Sequence, residues 1–173
     1  GLRFEAPGDW APARIGTRHL LLASAAGPAM EVKWAPVKGR FSARRLLREL
    51  SRRVGRTGAV FRETALPGPW RPSLARFDAT GFQWDAGDER ALGALLYCTD
   101  CRTASRVQFL GTADADLIAG AAARVLASLR DHRSDGKVAW ALYDVAALLP
   151  RHFALGRHRF EAGRFVLEFK GRG

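Results

Sequence analysis

Apolar and polar residues alternate along much of this chain, and in two places the alternation gives way to a helical period. Leu2 to Ala6 alternates briefly before Pro7-Gly8. His19 to Ser24 and Ala29 to Trp34 are two further candidate strands split by Ala26-Gly27-Pro28, and the three together predict an antiparallel meander. Beyond Pro36 and Gly39 the period changes. Ala43, Leu46, Leu47, Leu50 and Val54 recur at helical spacing behind Ser42, an N-cap residue, and before Gly55, a stop, so a helix is predicted over Ser42 to Val54. Four more strands are predicted at Ala59 to Ala65, Leu74 to Asp78 (extended by Gly81 to Trp84), Ala91 to Cys98 and Arg106 to Leu110. Pro67, Pro69, Pro72 and the segment Asp85 to Glu89 mark loops. A second helix follows over Ala115 to Arg130, with Thr112 and Asp114 as capping residues and Leu117, Ile118, Ala121, Val125, Leu126 and Leu129 as its buried face. After the turn Ser134-Asp135-Gly136, strands are predicted at Val138 to Tyr143, around His158 to Glu161 and at Phe165 to Lys170.

These elements specify an α+β fold, a twisted antiparallel sheet with two flanking helices and a C-terminal β-hairpin. They divide at about residue 132, with 133–173 forming C-terminal strands. The end of the chain also echoes its beginning. Pro7-Gly-Asp-Trp10, then Ala26-Gly27 and Met30-Glu-Val-Lys33, are matched by Pro150-Arg-His-Phe153, Ala162-Gly163 and Leu167-Glu-Phe-Lys170. Residues 133–173 would then open a second repeat, unless the turn chemistry common to hairpins accounts for the likeness.

The resemblance that this order carries is to the Mog1/PsbP-like group of α+β domains. It rests on Phe4-Glu-Ala-Pro-Gly-Asp-Trp10, the hairpin, the helix, the run of antiparallel strands and Ala123-Arg-Val-Leu-Ala-Ser-Leu129, and it covers about residues 2–130. The resemblance implies a non-enzymatic binding or assembly factor and transfers no active site.

Composition narrows the classes. The 173 residues are 47% hydrophobic and 26% charged, enough to bury a core. No apolar run reaches the roughly 18 residues of a membrane helix, since Leu117 to Leu129 is interrupted by Arg124. The opening residues lack the pattern of a secretory leader, and two cysteines are too few for a disulfide scaffold, so a cytoplasmic location is expected. The net charge of +11 suits an acidic partner, although 24 of the 28 basic residues are arginine in an Ala- and Gly-rich chain, so part of the charge is compositional.

Four features carry candidate chemistry. Cys98-Thr-Asp-Cys101 is placed at a hairpin tip, where two sulfurs can face one tetrahedral zinc. The chain has no other cysteine, so the remaining ligands would come from elsewhere, for instance across the two-fold axis of a homodimer. A redox role would need a helix N-terminus at the first cysteine, and none is predicted. Arg45, Arg48, Arg52 and Arg56 form a stripe on the first helix, flanked by Arg40, Arg44 and Arg53 and opposed by Glu49 alone. Such a stripe either follows a phosphate backbone and binds nucleic acid or another polyanion, or is a solvated face paired with carboxylates of neighbouring strands. Trp70 and Trp84, in or near loops, are the candidates for a ligand pocket, whereas Trp34 and Trp140 are assigned to the core. The phosphate-loop, nucleophile-elbow, zinc-protease and dinucleotide signatures are absent. The sequence therefore points to a binding or assembly module for an acidic partner, with a zinc-linked dimer or an enzyme of non-standard site as alternatives.

Overall fold

The computed structural model describes residues 2–112, 115–131, 136–142, 145–150, 152–161 and 164–171. The chain forms two compact units, one spanning Arg3–Leu129 and the other running from Arg130 onward.

The larger unit is built on a seven-stranded antiparallel sheet. Its strands are β1 (Ala11–Gly16), β2 (His19–Ser24), β3 (Gly27–Pro36), β4 (Val60–Thr64), β5 (Asp78–Ala86), β6 (Glu89–Cys98) and β7 (Thr103–Gly111), in the spatial order β1-β2-β3-β7-β6-β5-β4. Two local runs of antiparallel strands thus meet at one long-range seam, β3 against β7, where Met30 faces Phe109, Val32 faces Val107 and Lys33 faces Arg106.

Period-two alternation gives the sheet two different faces. One carries Met30, Val32, Leu92, Ala94, Leu96, Val107 and Phe109, all buried. It is covered by α3 (Ala115–Ser128) and by a 3-10 turn (Gly68–Trp70) that leads into the short α2 (Arg71–Leu74). Trp70 is fully buried here, edge-on to Phe109 at 5.6 Å, and its Nε1 donates to the Ala119 carbonyl at 2.8 Å. The other face carries Phe82 and Leu95, against which α1 (Ala43–Gly55) packs Leu47 and Leu50. The ring of Phe82 occupies the space above Gly93, its partner on β6, so that a Cβ at Gly93 would collide with the ring.

Local chemistry explains the limits of α1. The Ser42 hydroxyl caps it by accepting from the Arg45 amide at 3.3 Å. Thr57 and Gly58 donate back to the carbonyls of Val54 and Gly55, and Gly58 takes the positive φ of +80° that releases the chain toward β4. The linker before α1 is held from the far end of the sheet. Val37 donates to the Arg102 carbonyl, Arg102 donates to the Gly39 carbonyl, and Phe41 stacks on Tyr97 at 4.2 Å.

The second unit contains two hairpins, β8 (Lys137–Leu142) with β9 (Val145–Pro150) and β10 (Phe153–Glu161) with β11 (Arg164–Gly171). The rings of Trp140 and Phe169 bring them together edge-to-face at 4.9 Å.

The α+β class, the large antiparallel sheet, both long helices and the C-terminal β10–β11 hairpin agree with the sequence reading. Several elements differ from it. Leu2 to Ala6 is not a strand, and the first strand is instead Ala11–Gly16, an exposed edge whose Pro12 conceals its character. Leu74 to Phe77 precede β5: Leu74 ends α2, and the prolines taken as loop markers open this short helical turn. The segment Asp85 to Glu89 is a tight hairpin with Ala86 opposite Glu89. On α3 the buried stripe is rotated, because Ala119 and Ala122 face the core while Leu117 is 66% exposed. The strand β9 was not foreseen, and the capping residue Asp114, the turn residues Ser134 and Asp135, and Tyr143 lie outside the described residues.

Candidate functional site

The two faces of α1 have different tasks. Leu47 and Leu50 point to Phe82 and Leu95, the opposite side displays Arg45, Arg48 and Arg52, continued by Arg56 at the C-cap, and Arg44 and Arg53 flank the buried face. All six arginines are exposed. Their spacing sets Arg45 and Arg56 roughly 16 Å apart along the axis, at ~1.5 Å per residue.

Among the described residues, the α1 arginines have one ion pair, Arg45 with Glu49 of the same helix, at a long 4.0 Å. No strand carboxylate among the described residues pairs with an arginine of the helix. The strand arginines behave differently. Arg62 and Arg90 both bind Asp85, at 2.8 and 2.7 Å, and Arg106 binds Glu31 at 2.7 Å. The fold thus pairs these three arginines closely on the central and β4-side strands and leaves those of α1 to solvent. Arginines three and four apart on one helix face repel each other by a few tenths of a kcal/mol per pair (about 0.2–0.5), a cost the helix retains.

Beside α1, on the same sheet face, lies a polar cluster. The Glu31 carboxylate accepts from Lys33 Nζ at 2.7 Å, Arg106 Nη2 at 2.7 Å and Gln108 Nε2 at 2.9 Å, and meets His19 Nε2 at 2.9 Å. Trp84 Nε1 makes a long contact of 3.4 Å to the Gln108 side-chain oxygen. Burial by itself would raise the Glu31 pKa. The Lys33 hydrogen bond and the charges of Arg106, Lys33 and His19 outweigh it, and the carboxyl is held below its ordinary value. Burial lowers the pKa of Arg106, Glu31 counters this, and the nearby positive charge of Arg53 lowers it further. Arg106 Nε is buried and has no hydrogen-bond partner among the described residues.

Between this cluster and α1 runs a cleft of about 170 Å³. Leu46, Leu47, Leu50, Phe82 and Leu95 line it on the apolar side, and Lys33, Glu49, Arg53 and Arg106 line it on the charged side. A shallow depression on the outer face of the helix is lined by Arg45, Arg48, Glu49, Ser51 and Arg52.

The other residues singled out from the sequence lie apart from this face. Cys98 ends β6 and is buried, while Cys101 is half-buried in the β6–β7 tip, with the two sulfurs within 4.8 Å of each other. That separation suits one metal ion, to which the pair supplies two of the four ligands a structural zinc requires. The two tryptophans singled out for a pocket do not line one together, and Trp84 falls in the strand extension predicted over Gly81 to Trp84. Trp70 is a core residue, and Trp84 lies within β5, half-buried against the α1 cluster. Asp85, the other carboxylate with a displaced pKa, is lowered chiefly by its hydrogen bond from Arg90. Glu31 and Asp85 are thus both held in the ionised form by their cationic partners.

The sequence reading found the arginine stripe and missed Lys33, Glu31 and Arg106. Their signal was present as charged residues alternating with Met30 and Val32 and with Val107 and Phe109, which marks a polar sheet face. The pairing of β3 with β7 that brings them together was not readable from that pattern. No family model, no curated protein and no solved structure matches the chain.

Proposed function

We propose that this protein is a non-enzymatic binding or assembly module that takes up an acidic partner along the arginine face of α1. One observation carries the reading: Arg62, Arg90 and Arg106 of the sheet are paired with carboxylates at 2.7–2.8 Å, whereas the six arginines of α1 and its C-cap have only the 4.0 Å contact with Glu49 among the described residues. Guanidinium groups left exposed in a row offer forked donors to carboxylates or phosphates, and their mutual repulsion is relieved when an anion arrives. The binding roles implied by the resemblance to the Mog1/PsbP-like group agree with this reading. The test is a titration of the protein against fluorescein-labelled polyglutamate at increasing salt. Saturable binding that weakens steeply with ionic strength supports the reading, and absence of binding at low salt refutes it.

A further inference from the structure

The outer face of α1 explains attraction to negative charge in general. The cleft beneath the helix is more selective. Its apolar side consists of Leu46, Leu47, Leu50, Phe82 and Leu95, and its volume, about 170 Å³, is comparable to the ~150 Å³ apolar cavity that accepts a benzene-sized group. Its charged side brings Arg53 and Arg106 close enough for one to depress the pKa of the other, with Lys33 adjacent. The Glu31 carboxylate is already shared among Lys33, Arg106, Gln108 and His19, and Glu49 stands on the exposed helix surface. Three cations therefore border a small apolar recess in which, among the described residues, only Glu49 supplies a lining carboxylate.

We infer that the partner is an acidic polypeptide segment that inserts one apolar side chain into the cleft between α1 and the sheet and lays flanking carboxylates on Lys33, Arg53 and the outer arginines. This rests on the reading of α1 as a face for acidic partners and specifies which one. An extended peptide of roughly five residues, at ~3.3 Å each, matches the distance from Arg45 to Arg56. Nucleic acid fits the cleft less well. Single strands gain affinity by stacking bases on exposed aromatic rings, and the only aromatic ring lining this cleft, Phe82, is 1% exposed. An aliphatic side chain needs no such platform, only the removal of its surface from water.

The experiment compares three labelled probes by fluorescence anisotropy on the full chain. They are a dodecapeptide of glutamate and aspartate with one central leucine, the same peptide with serine in place of leucine, and an oligothymidylate of equal charge. The leucine peptide should bind about tenfold or more tighter than the serine peptide, the effect of burying one aliphatic side chain. Leu46→Gln, at a half-buried position in the cleft wall, should remove most of that difference, and Leu46→Met should retain it. Equal affinity for the two peptides would overturn the inference while leaving the arginine face as a general polyanion site. Tighter binding of the oligothymidylate would overturn it in favour of nucleic acid. Failure of all three probes to bind at low salt would refute both this inference and the reading on which it rests.

Discussion

Arg106 on β7 donates through Nη2 to the Glu31 carboxylate on β3 at 2.7 Å, across the one seam that joins strands distant in sequence. Both side chains are largely buried, at 15% and 14% exposure. The pair fixes one wall of the cleft and also the register of the seam.

Removing the acid from this pair should be expensive. Glu31→Gln leaves Arg106 and Lys33 without their charge partner, and we predict a loss of about 3 kcal/mol at neutral pH. The folded-state pKa of Glu31 lies below its ordinary value, so its contribution is complete above the usual glutamate range and disappears as pH falls through the folded value. The gap between wild type and variant in urea unfolding should therefore be widest near pH 7 and narrow on acidification to about pH 3. A gap that stays constant with pH would show that the charge of Glu31 does not contribute.

Gly93→Ala tests the other wall. A Cβ at this position meets the Phe82 ring, which must move, and Leu47, Leu50 and Leu95 pack around that ring. Overpacking of this kind should cost about 1–3 kcal/mol and lower the thermal midpoint. Because Phe82 also lines the cleft, the leucine-bearing peptide should lose affinity in the folded variant. Unchanged stability would mean that the ring is not held over the glycine.

Two hydrogen bonds position the helices, and each can be removed singly. Ser42→Ala deletes the N-cap of α1 and should cost about 1 kcal/mol. Trp70→Phe removes the buried hydrogen bond to the Ala119 carbonyl, which keeps its helical bond within α3, and should cost about 1.5 kcal/mol. Chemical denaturation of the two variants checks both values, and the second should exceed the first because the bond it removes is buried.

Much of the framework was legible from local pattern. Ser42, the leucine spacing and Gly55 located α1 to within one residue, and β2 coincides with its predicted limits, because each signal depends on neighbours in sequence. What was not legible depended on partners. The exposed edge β1 has no apolar face to announce it. The orientation of α3 was misread because Ala119 and Ala122 admit close approach of Trp70, while Leu117, a stronger hydrophobe, is left in solvent. At the candidate site the helical arginines were visible as a stripe. That Lys33 and Arg106 stand beside them follows only from the β3–β7 pairing, and that no described sheet carboxylate pairs with them follows only from the packing of α1.

The central claim is that the α1 arginines are held exposed for an acidic partner. Its most direct test is the affinity for labelled polyglutamate of wild type and of a variant with Arg45, Arg48 and Arg52 all changed to glutamine, measured from low to physiological salt. These side chains support no core contact, so the variant should keep its thermal midpoint or gain slightly from reduced repulsion. Its affinity at low salt should fall roughly ten- to a hundredfold, at about 0.5–1 kcal/mol per lost contact, and its salt dependence should flatten. A folded variant that binds polyglutamate as tightly as wild type, with the same salt dependence, would contradict the claim.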